Sequence, residues 1–455
     1  MRSINPATGE EEGSWPLHSD AQVEAVVDGA WRAQRVWSQR SLSERADGLL
    51  AIATLLEQRA ETLAVRMTRE MGKPRAEAIG EVRKCAQVCA HYAQRAESYL
   101  AMEEVDVGAD GAVLCREPLG VVLSIMPWNF PYWQVFRFVA PALMAGNTVL
   151  VKHAPSTQGC AEEMQDLITS AGLLAGAVGW LRVPEERVPD LIADSRVAAV
   201  TVTGSERAGR AVAAAAGANL KKCVLELGGS DPFIVLADAD VNDAAVAAVA
   251  GRMLNTGQSC IASKRFIVEA SVADRFTEAV LEEMARLKVG DPMEDGTDLG
   301  PMAREDLAVT LERQVEESVA QGARVLCGGV REGSWFEPTL LADVPEDSPA
   351  GQEELFGPVA TLWVVDDAAA AVRLANASRY GLAACIWTAD VDAGMSLARQ
   401  LEVGGVFVNR LPLSDPRVPF GGVKASGYGR ELGRAGILEF TNLKTLRWSR
   451  TPSSG

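Results

Sequence analysis

The sequence predicts an α/β protein with more than one domain, and three observations carry that prediction. The chain has 455 residues, more than a single hydrophobic core usually holds, so two or three domains are expected. From residue 121 onward, short β-branched runs alternate with helical stretches, the pattern of parallel strands joined by crossover helices. The composition, 48% hydrophobic and 23% charged, is that of a well-buried soluble chain.

The first hundred residues have helical periodicity. Val23, Val26, Val27, Ala30 and Trp31 recur at helical spacing after Ser19 and Asp20, which can cap the start. Ala46, Leu49, Leu50 and Ala53 repeat the pattern, as do Val82, Cys85, Ala86 and Cys89. Cys85 and Cys89 share a helical face, and with no His or further Cys nearby to complete a metal site they are read as core.

Beyond residue 120 strands are predicted at 121–125, 148–151, 180–183 and 197–202, with a helix over 132–145 that carries Pro141. The last of these strands runs through Thr203, Gly204 and Ser205 into an alanine-rich helix. A second α/β pattern starts near Val224, with strands expected at 233–236, 266–268, 360–365 and 406–408. No internal repeat is visible, and 451–455 is expected to be a loose tail.

Composition also excludes function classes. A net charge of −17 argues against general affinity for nucleic acid or anionic membrane. The apolar runs are strand-length, far short of a membrane span, and the N-terminus has no apolar stretch resembling a signal peptide. Eight cysteines without short disulfide or zinc spacing fit a reducing, cytoplasmic setting. Only His18, His91 and His153 are present, so acid–base work falls to other residues and no metal site is expected.

Three residues are candidates for chemistry. Cys260, in Asn-Thr-Gly-Gln-Ser-Cys-Ile-Ala-Ser-Lys264, lies among small and polar residues after an apolar helix. A thiolate is the strongest side-chain nucleophile near neutral pH, and a nearby cation lowers its pKa. Taken alone, it is equally a half-buried structural thiol. Glu226 interrupts an apolar strand just before Gly228 and Gly229, where burial would raise its pKa toward that of a general base. Alone, it is also a strand-end carboxylate facing water. Asn129, in Pro-Trp-Asn-Phe-Pro131, offers amide donors to an oxyanion, or simply sits in a rigid turn. Gly204 to Gly209 spans a strand end and a helix start, where backbone N–H groups can take a phosphate. Its GxxxxG spacing matches neither the dinucleotide fingerprint nor a P-loop.

Together and in this order, the segments resemble the aldehyde dehydrogenase superfamily. They are NPATGE at 5–10, PWNFP at 127–131, TGS at 203–205, LELGG at 225–229, GQSC at 257–260, EELFGPV at 353–359 and PFGGVKASGYGRE at 419–431. The resemblance implies a Rossmann-like cofactor domain over 1–98 and 120–227 and an α/β catalytic domain over 228–440. It also implies a small β oligomerisation extension over 99–119 and 441–455, and with it a homodimer or homotetramer.

The resemblance also assigns roles. Cys260 attacks the aldehyde carbon, the Asn129 side chain and the Cys260 N–H hold the oxyanion, and Glu226 activates the water that hydrolyses the thioester. Gly204 and Ser205 face the cofactor pyrophosphate, Lys152 the adenine ribose and Glu354 the nicotinamide ribose. Phe356 packs near the nicotinamide, and the backbone around Trp128 and Leu227 lines the slot. Members strict for NAD carry a Glu three residues after the strand-end lysine, where this chain has Pro155. NADP is therefore expected to be accepted, with NAD use retained.

For the substrate, the chain resembles bacterial succinate-semialdehyde dehydrogenases through KHAP at 152–155, KKCVLELGGSDPFIVL at 221–236 and SDPRVPFGG at 414–422. A carboxylated substrate needs a cation, and Arg137, eight residues after Asn129, matches an arginine in those enzymes. A second arginine found in some members is Leu254 here, and Arg417 is the alternative source of charge. Rival readings are another aliphatic aldehyde or semialdehyde substrate, acyl transfer to CoA in place of hydrolysis, and a thioester hydrolase.

Overall fold

The structure is a computed structural model and describes residues 1–108 and 110–449. The tail expected at 451–455, and with it the end of the proposed β-extension, lies outside the described residues.

The β-branched runs from residue 121 form one parallel sheet. Its strands stand in the order Lys222–Glu226, Val197–Thr203, Val121–Ile125, Thr148–Lys152 and Val178–Trp180. Thr148–Lys152 is buried along its whole length, which requires cover on both faces of the sheet. The chain enters at Val121–Ile125, works outward through two strands, then crosses back to Val197–Thr203 on the other side. That reversal opens a crevice at the carboxyl ends of Val121–Ile125 and Val197–Thr203, where α/β sheets hold ligands.

Helices Asp20–Trp37, Leu42–Gln58, Ala60–Met71 and Arg75–Tyr99 fill the first hundred residues. Ser19 caps the first through a reciprocal capping box with Gln22, and Ser41 caps the second with Glu44. The apolar faces of the last three share a core with Trp133–Met144, Cys85 and Cys89 lying inside it at 0% and 1% exposure, whereas Val23, Val27 and Ala30 of the first pack on the sheet.

A second sheet has seven strands, in the order Arg324–Cys327, Thr339–Ala342, Val359–Val365, Ser263–Glu269, Asp231–Val235, Ala383–Trp387 and Gly405–Val408. All but the first pair in parallel. Three of them, Arg324–Cys327, Thr339–Ala342 and Ala383–Trp387, carry too few β-branched residues to be recognised locally. The strand expected at 180–183 instead occupies Val178–Trp180, with Pro184 closing the turn into the next helix.

Residues 427–439, expected in the second domain from sequence, return to the first. Gly427–Tyr428 pairs antiparallel with Lys222–Glu226, and helix Gly433–Glu439 packs on Arg75–Tyr99 and Trp133–Met144. A small third sheet joins Glu103–Glu104, Gly111–Pro118 and Thr441–Trp448, the last as an edge strand with Leu443, Leu446 and Trp448 exposed. Among the described residues no helix is long and apolar enough to cross a membrane.

Candidate active site

The segment before Cys260 is built under strain. After helix Val241–Met253, Asn255 (φ 56°), Thr256 (φ 53°) and Gly257 (φ 72°) are consecutive left-handed residues. Each non-glycine there costs about 1–2 kcal/mol and persists only where its surroundings over-determine it. Arg252, fully buried, does part of that: Nε donates to Val359 O at 2.7 Å, Nη1 to Gly257 O at 3.3 Å and Nη2 to Leu355 O at 2.7 Å. Glu77 accepts from Asn255 N at 2.8 Å, and Asn255 Nδ2 donates to the Asn129 carbonyl at 2.8 Å. At Gly257 a Cβ would stand 2.3 Å from the Gly357 carbonyl, so no other residue closes this turn. The turn delivers Cys260 to a cleft of about 260 Å3 at the crevice between the sheets.

Asn129 enters the same cleft from the loop after strand Val121–Ile125. Its Nδ2 donates to Gln258 O at 3.0 Å, leaving its second amide hydrogen for a ligand. Behind it, Lys73 Nζ donates to the Asn129 carbonyl at 3.1 Å and pairs with Glu81. Glu81 Oε1 in turn accepts from the N–H groups of Tyr132 and Trp133 at 3.0 Å each.

Glu226 ends the last parallel strand of the first sheet and lines the cleft at 2% exposure. Among the described residues neither of its carboxylate oxygens accepts a hydrogen bond. Burial drives its pKa upward, the nearby Glu431 adds to the rise, and the Arg137 and Arg430 charges oppose it. Gly421 (φ 150°) lets the backbone pass close over this carboxylate, since a Cβ there would come within 2.7 Å of Oε1. Burial likewise pushes the Cys260 thiol up to about 12, against the fields of Arg137 and Lys264. A protonated thiol and an unsolvated, proton-avid carboxyl thus line one cleft, the groups that nucleophilic and acid–base chemistry need.

The other end of the cleft suits a dinucleotide. Ser205 caps helix Glu206–Ala218 by accepting from Ala208 N at 3.3 Å, and Gly204 stands beside it with space around its Cα. The helix start therefore presents positive N–H groups to the cleft. Gly209 brings that helix against Leu227, where a Cβ would fall 2.5 Å from the leucine side chain. Glu354 Oε1 accepts from Gly229 N at 3.0 Å, and Trp128 meets Phe356 edge to face at 5.8 Å. Phosphate, ribose and ring each find a matching surface, so the residues present fit a nicotinamide dinucleotide.

Lys152 stands buried at its strand end and makes no ion pair with any described residue. Burial lowers its pKa, and Glu185 and Glu186 act in the other direction. Pro155 is exposed at the start of a short 3-10 turn and brings no carboxylate.

Two residues expected from sequence to hold the substrate are not among those lining this cleft. Arg137 is buried, ion-paired through Nε with Glu431, and stacked 4.8 Å over the Phe420 ring. Its position on helix Trp133–Met144 turns the guanidinium toward the two buried glutamates, which need a counter-charge. Arg417 is 76% exposed at its side chain and is held by Asp415, with Nε to Oδ1 at 2.9 Å, so the structure does not bring it to the site. Sequence reasoning passed over Lys264, whose Nζ lies 3.1 Å from Glu354 Oε1 and donates to the carbonyls of Ser259 and Cys260 at 2.8 Å. Its position four residues after Cys260 was the available signal. Gln134 and Leu307, which help complete the cleft wall, carried none; Thr203 stands there as the first residue of the TGS segment.

The profile of the aldehyde dehydrogenase family matches residues 1–446. The chain is 49% identical over 447 residues to a succinate semialdehyde dehydrogenase (NAD(P)+) of Escherichia coli, covering 98% of this chain and 97% of that one. It is 46% identical over 452 residues to succinate-semialdehyde dehydrogenase (NADP(+)) 1 of Mycobacterium tuberculosis, covering 98% and 99%. Among solved structures, a succinic semialdehyde dehydrogenase from Streptococcus pyogenes in complex with NADP+ superposes with a TM-score of 0.96 at 35% identity, over 98% of this chain and 99% of that one.

Proposed function

The chain belongs to the aldehyde dehydrogenase family, and from that premise we propose that it oxidises succinate semialdehyde to succinate with NADP+, NAD+ being also accepted. The observation that carries the reading is the meeting of Cys260, Asn129 and the unpartnered Glu226 on one cleft with a dinucleotide-shaped end.

The thiol proton of Cys260 passes to a base as sulfur attacks the aldehyde carbon, and Glu226 is the buried carboxylate placed to take it. The oxyanion of the resulting thiohemiacetal is met by the free Asn129 amide hydrogen and the Cys260 N–H. A bound nicotinamide dinucleotide, held by Gly204, Ser205 and Glu354 with Lys152 toward its adenine ribose, supplies the acceptor for the hydride that leaves that carbon. Once Glu226 has released that first proton to solvent, it removes a proton from the water that attacks the thioester on Cys260 and passes it to the departing thiolate, releasing the acid and the thiol.

Glu226 favours hydrolysis over acyl transfer to CoA, because a thiol acceptor needs no such base. The eight free cysteines fit a cytoplasmic location. The exposed edge strand Thr441–Trp448 suits pairing with a second copy of the chain, giving a homodimer or a tetramer of paired dimers.

Steady-state NADPH formation over a panel of aldehydes, with Cys260→Ala as blank, tests the proposal. Succinate semialdehyde should give the highest kcat/KM, and the free acid should be the product with or without CoA. Turnover surviving in Cys260→Ala would refute the chemistry.

A further inference from the structure

Gln134 brings a buried, unsatisfied carbonyl to the cleft. It stands in the first turn of helix Trp133–Met144 at 2% exposure and lines the same cleft as Cys260, Asn129 and Glu226. Among the described residues of that lining, three side-chain oxygens are shielded from solvent and lack a partner: both carboxylate oxygens of Glu226 and Oε1 of Gln134. A buried carbonyl without a donor is destabilising, so one that persists in the wall of a cleft marks a place where a ligand supplies the bond. Two such acceptor groups on one cleft of about 260 Å3 suit a small donor with two hydrogens.

The amide is held in that position. Gln134 N donates to the Phe130 carbonyl at 3.0 Å, and Glu81 Oε1 fixes the N–H groups of the two residues before it, Tyr132 and Trp133, at 3.0 Å each. The start of the helix is thereby tied to the loop that carries Asn129.

Hydrolysis of a thioester asks for a second acceptor. The attacking water has two hydrogens and must present a lone pair to the carbonyl carbon. Glu226 can take one of the hydrogens as a proton. If the other is not held, the water turns about its single bond to Glu226 and the lone pair loses its aim. A neutral amide oxygen accepts the second hydrogen without removing it, and adds no further negative charge near Glu226.

We propose that Gln134 Oε1 holds the second hydrogen of the hydrolytic water, so that Gln134 and Glu226 together aim that water at the thioester carbon. The inference rests on the hydrolytic reading above. As the C–O bond forms, one proton passes to Glu226 and from there to the Cys260 sulfur, whose bond to carbon breaks. The second hydrogen stays on the oxygen that becomes part of the acid, and Gln134 is unchanged.

Gln134→Met, close in size and without a hydrogen-bonding end, tests this in the intact enzyme with NADP+ and succinate semialdehyde. Decay of the acyl-enzyme, followed by rapid quench and intact mass, should slow about tenfold, the worth of one hydrogen bond. The value of kcat/KM should stay within about twofold, since acylation precedes the affected step. Hydroxylamine, which attacks thioesters without a base, should discharge variant and wild-type acyl-enzyme at rates within about twofold of each other. Tm should not fall, because an unpaired buried carbonyl gives way to an apolar group. Gln134→Leu gives the same readouts if Gln134→Met does not fold. Unchanged decay overturns the proposal, as does an equal slowing with hydroxylamine. A fall in kcat/KM together with Tm marks a structural role and overturns it too. A wild-type enzyme that releases its product only as an acyl-CoA overturns the hydrolytic reading, and the Gln134 role with it.

Discussion

Lys264 Nζ stands 3.1 Å from Glu354 Oε1 and at the same time holds the Cys260 carbonyl at 2.8 Å. The carboxylate placed toward the cofactor ribose and the backbone of the nucleophile are thus tied to one buried ammonium. Lys264→Met should raise KM for NADP+ and lower kcat, each by about tenfold, since one charge-assisted contact is lost on either side. It should also cost about 1–3 kcal/mol of stability, because the Ser259 and Cys260 carbonyls are left buried without their donor. Steady-state kinetics and thermal melts read both effects. A change in KM without a change in kcat would separate the two ends of the link.

Glu226 carries a pH dependence of known sign. Its pKa is raised by burial and then by Glu431, and the base is active only after losing its proton, so hydrolysis should fall as pH drops through that raised value. Glu226→Gln should remove the slope and stall the enzyme as a thioester, seen as a burst of NADPH of about one equivalent with kcat down by about 10²-fold or more. Stability moves in the opposite sense. The folded carboxyl keeps its proton above the unfolded value of about 4.3, so this favourable contribution is lost as pH rises through the folded pKa. The glutamine variant should therefore lose less Tm than the wild type as pH rises from about 4.3 through that raised value.

Arg137 should behave as a counter-ion and not as an anchor. Removing it as Arg137→Gln leaves Glu431 buried and unpaired, which costs about 3–5 kcal/mol where a buried pair is broken. It also withdraws the charge that lowers both Cys260 and Glu226. The expected outcome is a fall in kcat for succinate semialdehyde and butanal alike, together with a lower Tm. A loss confined to the KM of the carboxylated aldehyde would return Arg137 to the role expected from sequence.

The Lys73–Glu81 pair holds the backbone around Asn129, the proposed oxyanion donor. Lys73 grips the Asn129 carbonyl, and Glu81 fixes the two N–H groups that follow it. Lys73→Met should lower kcat by about 10-fold to 10²-fold with little change in aldehyde KM, somewhat less than loss of an oxyanion donor itself. Combined with Asn129→Ala, the second substitution should add almost nothing, since both act through one group. Full additivity in that cycle would show that Lys73 serves only the fold.

What sequence made legible was set by how local the signal is. Strand Val121–Ile125 and the Asp20–Trp37 helix with its Ser19 cap follow from residues within one element. Cys260, Glu226 and Asn129 were identifiable because each sits in a short motif, and the structure brings them to one cleft. The burial of Arg137 was not legible, because it depends on Glu431, nearly three hundred residues away, returning with the Gly427–Tyr428 strand. Strand Ala383–Trp387 was missed for a similar reason: it is a strand because its neighbours Asp231–Val235 and Gly405–Val408 make it one.

The antiparallel pairing of Gly427–Tyr428 with Lys222–Glu226 has a consequence for the order of synthesis. While the chain emerges from the ribosome, the strand that carries Glu226 is an open edge, with its outer hydrogen-bonding row exposed for the two hundred residues that follow. Only when Gly427–Tyr428 has emerged can that edge be covered. Nascent chains stopped near residue 420 should therefore hold a formed but inactive first sheet, prone to edge-to-edge association.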